Sequence, residues 1–315
     1  MRISTFLTVC MNPTLQKTLR FSALIPDTVN RTGTHQVDAS GKGVNVSRVL
    51  TQLGKPCLHL TQLGGTLRPL FLDLCKQDGV ALEWVESGSP IRFCYTLIND
   101  ADASVTELVE EAEPVEGETE ARILEAYTRL LPGYEGVIIS GTMAAGFSPS
   151  LIPSMVRQAK ETGHAVILDL RGRDLVNSLA FSPDIIKPNL FEFAGTFAPE
   201  LVIGNRLITM NLDAIKKRIQ ELCLDLCEKY HFRIVLTRGS DSVWYAEPGN
   251  FGEYAFERVK PVNTTGSGDA FTAGFAAALG EGAALQDAIA WGGRCGGLNA
   301  GFLKVGTINS GGDAR

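Results

Sequence analysis

The run Asn263-Thr264-Thr265-Gly266-Ser267-Gly268-Asp269-Ala270-Phe271 sets three small residues and a carboxylate at the entrance to an Ala/Gly-rich amphipathic stretch. Small residues let a backbone approach a ligand closely, and the unpaired N–H groups of a helix N-terminus form an anion site that the macrodipole reinforces. A transferring phosphoryl group has the charge to sit there. Asp269 follows directly, where a carboxylate can take a proton from an attacking hydroxyl. A plain Asp capping turn would carry the same residues, so the neighbouring runs matter.

Ser40-Gly41-Lys42-Gly43-Val44-Asn45-Val46-Ser47-Arg48 is a second glycine turn running into a helical pattern. It is not a P-loop, because no Ser/Thr follows Lys42 and the upstream Gly is missing, nor a dinucleotide fingerprint, because position 46 is Val. Gly41 and Gly43 can bring backbone near a sugar ring, and the Asn45 amide can donate to and accept from hydroxyls. Lys187-Pro188-Asn189-Leu190-Phe191-Glu192 follows a strand and opens a helix, presenting an amide and a carboxylate one turn apart, a geometry that can hold Mg2+ through waters. Thr237-Arg238-Gly239-Ser240 closes another strand, the end at which open α/β sheets bind ligands.

The elements that position these runs alternate in the βαβ manner, predicting an α/β fold with a mostly parallel sheet. Strands are predicted at Ser4–Cys10, Cys57–Gln62, Gly136–Ser140, Ala165–Leu170, Ile185–Lys187 and Arg233–Thr237. Helices are predicted at Gly43–Leu53, Leu67–Gln77, Glu118–Leu131, Pro149–Thr162, Asn211–Tyr230, Asp269–Leu279 and Leu285–Ala300. Residues 14–40 and 91–112 break the rhythm by alternating polar with apolar or β-branched residues. They fit either edge hairpins on the main sheet or a small sheet over a site, and their position beside the motifs favours the second. The division expected is a core of residues 1–13, 41–90 and 113–315 with a lid of 14–40 and 91–112. The Glu-rich stretch from Glu110 to Glu120 suits a solvated linker and the acidic first turn of a helix.

Composition bounds the class of function. The chain has 315 residues, 44% hydrophobic, with net charge −6 and dispersed Lys and Arg, which argues against a nucleic-acid partner. No apolar run reaches the ~20 residues of a bilayer-spanning helix. The run Ile3–Met11 has only Arg2 before it and is cut by Asn12-Pro13, so it reads as a buried first strand and not as a signal segment. Seven scattered cysteines suit reduced core thiols and a cytoplasmic protein, and Cys223 and Cys227, one turn apart, read as core.

In order, the chain carries Asn12-Pro13-Thr14-Leu15, Gly41-Lys42-Gly43-Val44-Asn45, Leu63-Gly64-Gly65, Thr106-Glu107-Leu108, Ser140-Gly141-Thr142, Lys187-Pro188-Asn189 with Glu192, and Gly266-Ser267-Gly268-Asp269. That series resembles the PfkB, or ribokinase-like, carbohydrate kinases, in the phosphosugar branch with 1-phosphofructokinase and tagatose-6-phosphate kinase. The resemblance runs from about residue 8 to 308. It implies a three-layer core with a β-sheet lid, ATP and Mg2+ as requirements, and γ-phosphoryl transfer to a sugar-phosphate hydroxyl. Asp269 would be the base and the backbone of Gly266, Ser267 and Gly268 the anion hole. Asn189 and Glu192 would organise Mg2+ and the nucleotide phosphates, while Lys187, Thr237 and Gly239 would line the ATP site. Asn299 would lie near the adenine, or be a helix-surface residue. The sugar would meet Gly41, Lys42, Asn45, Arg92 and Arg31, the last equally suited to a solvated lid position. The resemblance also implies a homodimer built on lid sheets.

Two departures fall on the acceptor side. The family's usual Asp after Asn-Pro-x-Leu is here Gln16, which brings no charge and adds a donor, and the usual Gly before Gly-Lys-Gly is Ser40. They leave room for a free-hexose or nucleoside kinase, or for a catalytically weak sugar-phosphate sensor.

Overall fold

In a computed structural model that describes residues 3–204, 206–207 and 212–309, the β-branched runs become strands and the amphipathic stretches helices. The first half contains β1 (Phe6–Cys10), β2 (Thr14–Phe21), β3 (Thr34–Ser40), α1 (Lys42–Gln52), β4 (Cys57–Leu63), α2 (Arg68–Gln77), β5 (Leu82–Glu86), β6 (Arg92–Asn99), β7 (Ser104–Val109) and α3 (Thr119–Leu130). There follow β8 (Gly136–Ser140), α4 (Leu151–Glu161), β9 (Ala165–Asp169), α5 (Gly172–Ser178), β10 (Ile185–Ile186), α6 (Leu190–Phe197), β11 (Val202–Ile203), β12 (Arg206–Leu207) and α7 (Leu212–Tyr230). The chain closes with β13 (Arg233–Leu236), β14 (Val243–Glu247), β15 (Asn250–Tyr254), α8 (Ser267–Gly280) and α9 (Leu285–Ala300).

Nine strands form one sheet in the order β15-β14-β13-β10-β9-β8-β1-β4-β5, parallel from β5 to β13 and antiparallel at β14 and β15. The central strands β1, β8 and β9 are buried at every position, as a parallel sheet covered on both faces requires. Strand periodicity splits their side chains between two cores. Phe6, Ile138 and Ile167 face α1, α8 and α9 through Val46, Val49, Phe275 and Ile289; Leu7, Val137 and Leu168 face α3, α4, α6 and α7 through Tyr127, Val156, Phe193 and Ile219. The result is the three-layer α/β architecture that the motif order implies.

The two alternating segments form a separate four-stranded sheet in the order β3-β2-β6-β7. Its middle pair, β2 and β6, is parallel, with Thr14 opposite Arg92 and Gln16 opposite Cys94. A parallel pair needs a long crossover, which here runs through β3, α1, β4, α2 and β5. The reading as edge hairpins on the main sheet therefore fails.

Some elements depart from expectation. β5 is a half-buried edge strand in which Glu83 and Glu86 interrupt the apolar residues, α5 is too short for a helical period to show, and the β14–β15 hairpin around Pro248-Gly249 lies outside the predicted elements. α8 starts at Ser267, two residues before expectation, and Asn211 of the predicted Asn211–Tyr230 helix lies outside the described residues.

Candidate active site

Five parallel strands, β1, β8, β9, β10 and β13, end at one cleft of about 410 Å³, which receives Asn12, Thr142, Asp169, Lys187, Asn189 and Thr237 from the segments that follow or close them. This is the carboxyl edge where open α/β sheets take ligands. α1 and α8 point their N-termini into it, and the small sheet contributes Gln16, Arg92 and Glu107.

The N-terminus of α1 enters closely because residue 43 has no side chain: a Cβ on Gly43 would lie 2.5 Å from His59 Cε1 and 2.7 Å from Cys10 Cβ. Lys42 and Asn45 then project into the cleft. At α8 the N-cap Gly266 has φ +82°, a left-handed conformation open to glycine. Ser267 N–H donates to Thr264 O (3.1 Å) and Ala270 N–H to Gly266 O (2.9 Å). The N–H groups of Gly268 and Asp269 have no acceptor among the described residues, which leaves two adjacent donors for an anion. A Cβ on Gly266 would stand 2.7 Å from Gly306 N. Gly266→Ala is expected to cost about 1–2 kcal/mol in backbone conformation alone and to lower kcat more than about tenfold by displacing these donors. Thermal unfolding read beside kcat checks it; a parent-like kcat would place the transferring group elsewhere.

Asp269 is 6% exposed and accepts from Asn45 Nδ2 at 2.8 Å. Burial pushes its carboxyl up to about 7, aided by Asp169 and opposed by Lys42, Asn45 and Lys187. Lys42 Nζ donates to Asp169 Oδ1 and to Glu192 Oε1, both at 3.2 Å. Burial alone would lower that ammonium's pKa, but Asp169, Glu192 and Asp269 outweigh it and hold Lys42 well above the usual lysine range. Asp169 in turn takes Lys187 Nζ on Oδ2 at 3.2 Å and the Thr272 hydroxyl at 3.2 Å. Burial favours its neutral form, yet Lys187 and Lys42 prevail and keep it below the ordinary carboxylate range.

Asn189 and Glu192 close a reciprocal capping box on α6: Glu192 N–H donates to Asn189 Oδ1 (2.8 Å) and Asn189 N–H to Glu192 Oε2 (2.9 Å). Both oxygens are thus engaged, and no group of three or more His, Cys, Asp or Glu side chains suited to a metal exists among the described residues. Such a donor set fits a hexahydrated-type ion reached through water, and not an all-protein cage.

On the small sheet, Gln16 Nε2 donates to Thr96 Oγ1 at 2.8 Å. Thr96 lies 3.4 Å from Thr265 Oγ1, which donates to Glu107 Oε1 at 3.1 Å, so hydrogen bonds run from the small sheet to the loop before α8. Arg92 donates through one Nη to Glu110 O at 2.5 Å, and its Nε has no protein acceptor among the described residues.

Gln16, Gly41, Lys42, Asn45, Arg92, Lys187, Asn189, Glu192, Thr237, Gly266, Gly268 and Asp269 all line the cleft. Ser267, Arg31, Gly239 and Asn299 do not. Arg31 lies on the exposed connection between β2 and β3, and Gly239 on an exposed turn beyond β13. Asn299 is fully buried: Nδ2 donates to Thr265 O (3.0 Å) and Ser267 Oγ (3.1 Å), and Oδ1 accepts from Thr307 N–H (3.0 Å). A helix-surface position does not survive that arrangement; Asn299 braces the loop before α8. Sequence reasoning missed Asp169, although an acidic residue closing an apolar parallel strand was a visible signal, and it missed Thr265 and Glu107 as a pair.

The pfkB family carbohydrate kinase model matches residues 9–310. Escherichia coli phosphofructokinase-2, in complex with fructose-6-phosphate, is 20% identical over 94% of this chain and 94% of its own, with a TM-score of 0.80. A possible 1-phosphofructokinase from Thermotoga maritima is 22% identical over 94% of this chain and 92% of its own, with a TM-score of 0.80. Ribokinase from the same organism is 16% identical over 96% of this chain and 94% of its own, with a TM-score of 0.67. The structural likenesses identify the fold as ribokinase-like, and the family match extends over nearly the whole cleft-bearing chain. The chain belongs to the pfkB family of carbohydrate kinases, phosphotransferases that act on an alcohol group.

Proposed function

We propose that this kinase moves the γ-phosphoryl group of ATP onto a hydroxyl of a sugar phosphate, with Asp269 as the base. One observation carries the reading: Asp269 sits in the cleft beside two unpaired helix-terminal N–H groups, with Asn45 donating to its carboxylate. A loose transition state asks for positioning and charge neutralisation above all. Asp269 takes the acceptor's proton, the N–H groups of Gly268 and Asp269 donate to the equatorial oxygens, and Lys42 balances the surrounding carboxylates. Lys187, Asn189, Glu192 and Thr237 form the nucleotide side. Asn189 and Glu192 would hold Mg2+ through waters, and the ion would supply positive charge against the nucleotide phosphates.

The acceptor side favours a substrate that already carries a phosphate. Lys42 is committed to Asp169 and Glu192, whereas Arg92, which lines the cleft, has no carboxylate partner among the described residues. The likeness to a phosphofructokinase holding fructose-6-phosphate supports the same class. Arg92→Ala is expected to remove about 2 kcal/mol of charge-assisted binding, about thirtyfold in KM for the phosphosugar, with KM for ATP unchanged. An unchanged phosphosugar KM would mean that the acceptor's phosphate lies elsewhere.

The small sheet acts as a lid that excludes water from the cleft, with the Glu107–Thr265 hydrogen bond among its contacts to the core. Val105, Leu108 and Val109 on β7 are exposed, and a second copy of the chain would cover them in a lid-to-lid dimer. A monomer in sedimentation velocity at micromolar concentration would count against the dimer. Seven free cysteines suit the reducing cytoplasm.

A further inference from the structure

One helical turn beyond Asn45 in α1 lies Arg48, an arginine with no exposed surface. Four acceptors hold its guanidinium. Nε donates to Asp78 Oδ2 (2.7 Å), one Nη donates to Asn45 Oδ1 (3.0 Å) and Val305 O (3.1 Å), and the other Nη donates to Ala39 O. Ser40 Oγ donates to the same Asn45 oxygen at 3.1 Å. With Oδ1 claimed by two donors, the Nδ2 end of the amide is turned toward Asp269.

That orientation has a chemical consequence. The two ends of an amide are nearly alike in shape and opposite in hydrogen-bonding sense. Turned over, Asn45 would present a carbonyl oxygen to a carboxylate oxygen, an arrangement tolerated only when the carboxyl is protonated. A protonated Asp269 cannot accept a proton. Fold stability alone does not account for Arg48, because apolar residues of similar volume often replace a buried ion pair without loss. The same guanidinium also reaches the segment that braces the anion site: its acceptor Val305 precedes Gly306, whose backbone packs against Gly266.

We propose that Arg48 is a positioning residue for phosphoryl transfer, fixing the Asn45 amide so that it donates to Asp269 and keeps the base in its ionised form. The proposal rests on Asp269 as the base. Besides Asn45, the groups facing Asp269 are Lys42 on α1, Asp169 on β9, Lys187 beyond β10 and the Cys10 thiol on β1, and none of them touches Arg48. The charges facing Arg48 are Asp78 and, beyond it, Lys304 and Asp38; Asp78 keeps Lys304 as a partner when Arg48 is removed.

The test is the titration of Asp269 in the ligand-free protein labelled with [13Cγ]aspartate, its resonance assigned by its loss in Asp269→Asn. Parent, Arg48→Met and Arg48→Lys are compared, with the pH profile of kcat/KM beside them. The midpoint is expected to rise by about one pH unit in both variants, a tenfold tighter hold on the proton, and the acidic limb of kcat/KM to move with it. Arg48→Lys retains a cation for Asp78 but has no fork to reach Asn45 and Val305 together, so it decides the matter if Arg48→Met does not fold. An unmoved midpoint in a variant that unfolds cooperatively overturns the proposal. A shifted midpoint in a protein that phosphorylates no sugar phosphate leaves the positioning role standing and removes the functional reading instead.

Discussion

Asp269→Asn is expected to lower kcat about a thousandfold while changing ATP affinity by less than about twofold. The substitution keeps the size of the side chain and a hydrogen-bonding partner for Asn45, and it removes only the capacity to accept a proton. Burial sets the pH at which this matters, since it raises the Asp269 carboxyl to about 7. The ionised form is the active one, so kcat/KM of the parent is full above that pH and falls tenfold per unit below it, as a free-enzyme titration should. A flat profile from pH 5 to 8 would contradict the assignment. The variant also loses a carboxylate whose charged form burial disfavours. It is therefore expected to melt no lower than the parent at about pH 8, which separates loss of the base from loss of the fold.

Lys42→Met is expected to have the next largest effect, about a hundredfold in kcat/KM at neutral pH. Lys42 bonds Asp169 and Glu192 at 3.2 Å each and is the chief positive influence on Asp269. Without it, three carboxylates share one cleft with Lys187 paired to only one of them. The ionised form of Asp269 then loses its main electrostatic support, so the acidic limb of kcat/KM moves above pH 7 and turnover at neutral pH drops with it. Lys42→Arg keeps the charge but not the point-like ammonium that fits between two carboxylates, and an intermediate loss is expected. A limb that stays near pH 7 in Lys42→Met would show that the base is tuned by other groups.

Much of the site was legible because its parts are local. The glycine-rich turn before α8, the one before α1 and the Asn189-Glu192 pair each occupy a few consecutive residues, and each lies at the helix terminus that the pattern implied. The β2/β3 and β6/β7 alternation marked a second sheet for the same reason. The rest depends on juxtapositions that no local pattern encodes. Asn45 and Asp269 are 224 positions apart, Lys42 and Glu192 150, and Arg48 and Val305 257. Asn299 shows the converse: its helical position allowed a surface residue, and only the packing of α9 on α8 buries its amide behind the loop before α8. Gly239 was expected at the site from its place at a strand end and Arg31 from the family resemblance, and the turns that carry them lie outside the cleft.

The most direct test of phosphoryl transfer to a phosphosugar is ADP release from Mg-ATP against a panel of free sugars and sugar phosphates, including fructose 1-phosphate, fructose 6-phosphate and tagatose 6-phosphate, with Asp269→Asn as the blank. Turnover confined to a sugar phosphate, and absent from the blank, is the predicted result. Turnover only with a free hexose or nucleoside, or sugar-phosphate binding without ADP from any acceptor, would contradict it and assign the Gln16 and Ser40 positions to a different acceptor or to a binding role.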